Sequence, residues 1–191
     1  KECIMIKDAF EVIDSMSALT RYSQAHNITR ESVLEHTAFV ALFGAAICAR
    51  VNHNPTTVLR RAIVHDIDEI VTGDIPPTTK YANIEIANAL KIVEKEGAEL
   101  AIGKLFTRLD EYDDWKDAKD ETMDGYIIRI ADIGSVVFKM SQEASLGNKT
   151  LLKYKNRLRK VFLEMLEIEQ FKWNGLGDIV IELSDILEDI E

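Results

Sequence analysis

Residues that turn a chain are scarce here: 9 glycines and 3 prolines in 191 residues. A β-sandwich or barrel needs a turn signal roughly every 8–12 residues, and this chain cannot supply them. Apolar residues recur instead at helical spacing. Ala9, Phe10, Val12, Ile13, Met16 and Leu19 form a stripe over residues 7–19. A polar stretch, residues 21–30, interrupts the pattern. Ser32-Val33-Leu34-Glu35 then reads as a capping box, the serine accepting from the third amide and the glutamate reaching back. It opens a helix through His36, Phe39, Val40, Phe43, Ala46 and Ile47. That helix is apolar on most sides, which predicts a central place.

Asn54-Pro55 is an N-cap followed by proline at the first helical position. The helix it opens carries Val58, Leu59, Ala62, Ile63, Ile67 and Ile70, and Gly73 ends it. The run Asp74-Ile75-Pro76-Pro77-Thr78-Thr79-Lys80 is the one proline-rich loop. Helical spacing resumes over residues 84–93 and again over 100–109. The acidic segment 110–121 reads as a solvated loop or helix start. A second strongly apolar helix spans about 123–140, ending near Gly147. An amphipathic helix follows over 151–169, then a turn at 173–177 and a last acidic helix over 178–191. No β-alternation, repeat or linker interrupts this order. The expectation is one all-α domain over residues 1–191.

Charge and cysteines narrow the function classes. There are 23 Lys and Arg against 33 Asp and Glu, a net charge of −10. Duplex nucleic acid would repel such a chain unless its basic residues clustered. Small anions stay possible, because a metal ion or a local Lys/Arg group can reverse the field. Cys3 and Cys48 form no disulfide framework and point to a reducing, cytoplasmic compartment. No apolar run approaches the roughly 20 residues of a membrane span. The first residues lack the apolar core and cleavage site of a signal peptide.

The four histidines fall into two pairs. His26 and His53 lie in polar surroundings and read as exposed loop residues. His36 and His65 lie inside apolar helices, where an imidazole needs a partner. His65 is followed by Asp66 and Glu69 in an apolar context, and on a helix the three share neighbouring parts of one face. A further acid, Asp132, interrupts Ile127-Ile128-Arg129-Ile130-Ala131-Asp132-Ile133. Two imidazoles with two carboxylates make a nitrogen and oxygen ligand set suited to Zn, Mn, Co or Fe. The competing structural reading is a buried His–Asp hydrogen-bond pair with an internal Arg129–acid salt bridge.

The ordered set His36, His65-Asp66 and Asp132 resembles the HD superfamily of metal-dependent phosphohydrolases. The surroundings, Glu31-Ser32-Val33-Leu34-Glu35-His36, His65-Asp66-Ile67-Asp68-Glu69-Ile70-Val71-Thr72-Gly73-Asp74-Ile75-Pro76 and Lys80-Tyr81-Ala82-Asn83, are similar to the bacterial 5′-deoxynucleotidase branch. The phage deoxyadenosine triphosphate triphosphohydrolases belong to that branch too. The resemblance runs from about residue 19 to 152. It implies a helical HD bundle holding one divalent ion (Zn, Co, Mn or Mg) on His36, His65, Asp66 and Asp132. It implies Glu69 as the acid that activates water, Arg21 on the phosphate, and Asp74 on the sugar side near the 3′-hydroxyl. Pro76 belongs to the stiff sugar-side wall, and Lys80 and Arg129 match basic positions toward the phosphates. Where the family carries Trp after that arginine, this chain has Tyr22, which can still stack near sugar and base.

The expected activity is hydrolysis of a 2′-deoxynucleoside monophosphate to deoxynucleoside and phosphate. Two alternatives stay open: a dATP-type triphosphohydrolase that releases triphosphate, and a nucleotide-binding regulator of the same fold without turnover. The resemblance further implies a homodimer or larger homo-oligomer, with no nucleic acid or membrane partner, in the cytoplasm of a bacterium or a phage-infected host.

Overall fold

The computed structural model describes residues 5–80, 82–106 and 110–191. They are helical almost throughout, and no strand occurs among them. The helices are α1 (Ile6–Ala18), α2 (Val33–Arg50), α3 (Pro55–Val64), α4 (Glu69–Thr72), α5 (Pro77–Lys80) and α6 (Ile84–Leu105). They continue with α7 (Asp110–Lys116), α8 (Met123–Ser145), α9 (Lys155–Glu167), α10 (Glu169–Trp173) and α11 (Leu176–Asp189). Tyr81, Leu109 and Cys3 lie outside the described residues.

The signals at Ser32 and Asn54 act as read, and the structure adds caps at Asn83 and Thr122. Ser32 accepts the Glu35 amide and Glu35 reaches back to the Ser32 amide. Asn54 caps α3 at Thr56, Asn83 caps α6 at Ile86, and Thr122 caps α8 at Gly125. Each supplies an acceptor for one of the amides that a helix start leaves unpaired.

The structure corrects several expected boundaries. The helix expected from Val58 to Ile70 breaks at the His-Asp pair. α3 ends at Val64, and the next turn tightens to Ile67 N–H on Val64 C=O (3.1 Å) and Glu69 N–H on Asp66 C=O (3.2 Å). Spacing alone misses this, because a tightened turn keeps the apolar side of Ile67 and Ile70 nearly in register. The two short spans expected in 84–109 are one helix, α6, continuous through Gly97. That glycine is kept for contact: a Cβ there would lie 3.1 Å from the Val71 side chain. The helix start that the acidic segment offers is α7, whereas the proline loop contains the turn α5. After α8 the chain makes a 3-10 turn, Thr150–Tyr154, before α9 begins.

The apolar side chains form two clusters. The larger joins Val40, Ile47, Val58, Ala62, Ile127, Ile130 and Ala131 to residues of α9–α11. The smaller joins Val12, Met16, Val33, Val64, Ile67, Ala98, Ala101 and Ile102. On α2, Val33 belongs to the smaller cluster and Val40 to the larger, with His36 between them. Around the α3 end, Ala62 faces the larger and Val64 the smaller, with His65 next. The histidines therefore sit in the seam between two dry regions. α2 is by length and composition apolar enough to cross a membrane; here it packs on α3 and α8 and brings His36 into the seam. Gly134 lets α8 approach it: a Cβ at that position would lie 2.5 Å from the Phe43 ring. Cys48 is buried and unbridged.

Candidate metal centre

His36 comes from the second turn of α2, His65 and Asp66 from the tight turn after α3, and Asp132 from the middle of α8. One ligand atom from each lies within 4.8 Å of the others. The His36 and His65 Nε2 atoms are 3.2 Å apart. Asp66 Oδ2 is 3.2 Å from His36 Nε2 and 3.1 Å from His65 Nε2. Asp132 Oδ1 is 3.3 Å from His36 Nε2. Ligands about 2.1 Å from a common cation are separated by roughly 3.0–3.4 Å in octahedral or tetrahedral geometry, so these spacings fit one ion.

The other face of each imidazole is fixed. His65 Nδ1–H donates to the Ala62 carbonyl at 2.7 Å, a bond to the end of its own helix. His36 Nδ1–H donates to Ser135 Oγ at 3.0 Å, and the Ser135 hydroxyl donates to the Asp132 carbonyl at 2.6 Å. With both Nδ1 positions protonated, both Nε2 atoms present lone pairs to the same point. Two facing lone pairs repel unless a proton or a cation lies between them. Burial and the Arg21 charge oppose protonation of His36, but its bonds to Asp132 and Asp66 prevail and raise its pKa. A metal ion would take the place of that proton.

The carboxylates are held ionised. Burial alone would raise Asp66, but His65, Lys119 and His36 bring it well below the carboxylate range. Asp132 is likewise lowered, against burial, by Lys119 and His36. The Lys119 ammonium is 2.5 Å from Asp132 Oδ2 and 3.9 Å from Asp66 Oδ1. Its placement went unread in the sequence because it stands in the acidic segment taken for solvated chain. Ser135 was missed as well, since a serine among apolar helix residues reads as filler until its partner is seen.

Glu69 starts α4 one turn beyond Asp66. Its Oε2 is buried without a partner. Burial and the charges of Asp66 and Asp74 push its carboxyl up to about 9, with Arg21 opposing. A cation on the four ligands would counter the Asp66 contribution and lower it. Asp68, beside it, is buried, accepts Trp115 Nε1–H at 2.8 Å and is pushed up to about 6, chiefly by burial.

Arg21 and Tyr22 sit where the chain leaves α1. Arg21 Nη1 donates to Glu31 Oε1 at 2.9 Å, and the guanidinium lies 5.1 Å from the Tyr22 ring centre. Its Nε is buried and unpartnered. Burial disfavours its charge, yet Tyr22, Asp132, Asp66 and Glu31 hold it firmly protonated. Tyr22 takes a left-handed backbone, φ 58°, and its N–H donates to Asp74 Oδ2 at 2.8 Å. Asp74 thus ties the arginine turn to the loop before Pro76, whose carbonyl accepts from Thr79 and Lys80.

A cavity of about 370 Å³ opens on the centre, lined by His65, Asp66, Glu69, Lys80, Trp115 and Lys119 among others. Lys80 pairs with Glu94 at 2.6 Å at its edge. Arg21, Tyr22, Asp74 and Pro76 are not among its lining residues, and neither is Arg129. Its Nε donates to the Lys119 carbonyl at 2.8 Å and its guanidinium lies over Tyr126, beside a second hollow of about 270 Å³ shared with Asp132 and Met165. The two remaining histidines differ from one another. His26 is exposed, whereas His53 is half-buried and bonded to Asp124 Oδ1 at 2.7 Å.

A helical scaffold that brings two imidazoles and two aspartates to one point is that of the HD-domain phosphohydrolases, a class of metal-dependent hydrolases. A solved HD-domain phosphohydrolase from Listeria innocua superposes with a TM-score of 0.64 at 21% identity, covering 94% of this chain and 98% of that one. The cyanophage S-2L HD phosphohydrolase DatZ, solved with dA and one catalytic zinc ion, superposes at 0.57 with 16% identity over 98% of this chain and 99% of its own. Within that class the chain belongs to the 5′-deoxynucleotidase YfbR-like family, whose profile matches residues 8–174. A curated 5′-deoxynucleotidase of Erwinia tasmaniensis is 31% identical over 170 residues, 81% of this chain and 82% of the relative.

Proposed function

We propose that the chain hydrolyses 2′-deoxynucleoside 5′-monophosphates to deoxynucleoside and phosphate. The carrying observation is the convergence of two lone-pair-bearing Nε2 atoms and two carboxylate oxygens within 4.8 Å, one helical turn from an unpartnered Glu69 carboxylate oxygen. His36, His65, Asp66 and Asp132 hold the ion. A divalent cation there supplies positive charge to a phosphoryl oxygen and acidifies a bound water.

Every other role falls to this chain's own groups. The Arg21 guanidinium binds the phosphate through donors that Glu31 leaves free, the unpartnered Nε among them, while Glu31 braces Nη1. Glu69 accepts the proton of the attacking water and is positioned for it by burial rather than by a bond of its own. The two apolar clusters on either side of the centre exclude bulk water and strengthen these electrostatic contacts. The resemblance supports Asp74, Pro76 and Tyr22 on the sugar side; Asp74 accepts the Tyr22 N–H, and its neighbours Gly73 and Ile75 line the cavity.

The charge of the cavity lining supports the monophosphate reading. Of its three lysines, Lys119 is engaged on Asp132 and Lys80 on Glu94, and the five acids Asp66, Asp68, Glu69, Glu94 and Asp120 outnumber them. A triphosphate brings more negative charge to that lining than a monophosphate does. The DatZ zinc makes zinc the first ion to test. The family background supports a homo-oligomer in the cytoplasm. The test is release of inorganic phosphate or of triphosphate from the four deoxynucleoside mono- and triphosphates, and from AMP, with zinc, cobalt or manganese and after chelation. Phosphate from the monophosphates, lost on chelation, is expected. Triphosphate release alone would replace this substrate, and full activity after chelation would remove the metal role.

A further inference from the structure

The segment between α1 and α2 is a closed loop. Thr20 and Ser32 form an isolated antiparallel bridge. The Arg21 N–H donates to the Glu31 carbonyl at 2.9 Å, and the Val33 N–H to the Leu19 carbonyl at 3.1 Å. Arg21 therefore sits on one side of the loop neck and its side-chain partner Glu31 on the other. The far end of the loop is held by α8. Glu143 accepts from the Ile28 N–H at 2.7 Å, the Thr29 N–H at 2.9 Å and the Thr29 hydroxyl at 2.6 Å. The Lys139 ammonium donates to the Thr29 carbonyl and hydroxyl, each at 2.5 Å, and lies 3.0 Å from Glu143. Asn148 donates to Glu143 at 2.6 Å and to the His26 carbonyl at 2.7 Å.

Lys139 and Glu143 are 1% and 0% exposed, so both charges have left water. An apolar pair of similar volume would leave the Ile28 and Thr29 amides and the Thr29 carbonyl unpaired, so the pair holds the loop backbone. Its location adds a second consequence. Asp132, Ser135, Lys139 and Glu143 follow one another at spacings of three and four along α8, which places them on one face of the helix. The same face offers the metal a carboxylate, holds the His36 imidazole through Ser135, and grips the loop that carries Arg21.

We propose that Lys139 and Glu143 are positioning residues for Arg21. By clamping Thr29 they fix the loop neck, and with it the guanidinium, in the frame of the metal ligands; neither touches substrate. The proposal rests on the phosphate-binding role given to Arg21 above.

Thr29→Val removes the hydroxyl shared by both charges at nearly constant volume, whereas Thr29→Ser keeps it. Glu143→Gln is the stronger perturbation, and Lys139→Met/Glu143→Gln is its partner should the single variant leave Lys139 too costly to fold around. Two readouts are needed. The first is amide hydrogen exchange in the intact protein at Arg21 and Val33, which lie outside the clamp. Exchange there is expected to rise about tenfold or more in Thr29→Val and to stay near wild type in Thr29→Ser, the scale set by loss of a buried hydrogen bond. The second is a double-mutant cycle in kcat/KM for dAMP. Thr29→Val should lower it about tenfold in the wild-type background and by less than about twofold when Arg21 is already alanine.

Faster exchange at Ile28 and Thr29 that stops short of Arg21 overturns the proposal. So does an equal fold-loss of kcat/KM in both backgrounds, which would make the clamp merely structural. A wild-type protein inactive on every deoxynucleotide would instead sink the substrate reading, and the exchange at Arg21 would still decide the mechanical link.

Discussion

The orientation of His36 rests on one hydroxyl, and its removal has a calculable effect. In Ser135→Ala the Nδ1–H loses its acceptor at 3.0 Å, while Ser135 itself is 3% exposed, so water has little access to replace it. An unsatisfied buried donor costs about 1–3 kcal/mol. In the metal-free protein the ring can turn or exchange its proton to Nε2 and escape that cost. With Nε2 committed to the ion it cannot. The penalty therefore falls on the bound state, and ion affinity should weaken roughly ten- to a hundredfold, the range seen when groups supporting a metal ligand are removed. His65 is the internal contrast, because its Nδ1–H bonds the backbone carbonyl of Ala62 and no side-chain substitution reaches it. Competition for zinc or cobalt against a chromogenic chelator measures the effect, with circular dichroism to confirm folding. A Ser135→Ala protein that binds zinc within about twofold of wild type would refute the claim that this hydroxyl orients the ligand.

Other consequences are as direct. Glu69→Gln should cut kcat by about 10²–10⁴ with the metal content unchanged by elemental analysis; near-normal turnover would move the proton to another group. In chelator, Glu69 also shapes the pH dependence of stability. Its carboxyl titrates at about 9 folded against a reference of 4.5, so between those values the folded state binds the extra proton and stability falls as pH rises. Melting temperatures from pH 5 to 9 should show that decline in wild type and a flatter course in Glu69→Gln; parallel curves would mean that Glu69 ionises freely. Gly134→Ala improves helix propensity yet sets a Cβ 2.5 Å from the Phe43 ring, so it should destabilise by about 1–3 kcal/mol, and a raised melting temperature would contradict that packing. Asp74→Ala frees the Tyr22 amide and should lower kcat/KM for dAMP while narrowing the dAMP to AMP ratio; an unchanged ratio would take Asp74 off the sugar.

What could be read beforehand follows from chemistry out of place. His36, His65, Asp66 and Asp132 interrupt apolar runs, and a polar group there demands a partner, so their convergence was legible. The caps at Ser32 and Asn54 were legible for the same local reason. Lys119, Ser135 and the Trp115–Asp68 bond were not, because each depends on a partner from a different element. Lys139 and Glu143 left a faint trace: two opposite charges four apart, where the apolar character of α8 still runs. The broken helix at residues 65–68 was hidden because Ile67 and Ile70 keep the helical rhythm through a tighter turn. Arg129 matches by resemblance a basic position toward the phosphates; in the structure it braces the Lys119 carbonyl and shares a hollow with Asp132, a partner that no sequence pattern announces.

The stripe along α8 bears on which length changes this chain can survive. One residue added or removed near Gly134 would rotate everything beyond it by about 100°. Such an indel would carry Lys139 and Glu143 away from Thr29 while Asp132 stayed where it is, parting ligand from loop in a single genetic event. The turn at Gly147, Asn148 and Lys149 has no such linkage except through Asn148, and exposed turns are where insertions are ordinarily accepted. Among natural variants of this chain, length should therefore drift after Ser145 and stay fixed between Asp132 and Glu143, whatever happens to the apolar residues in between.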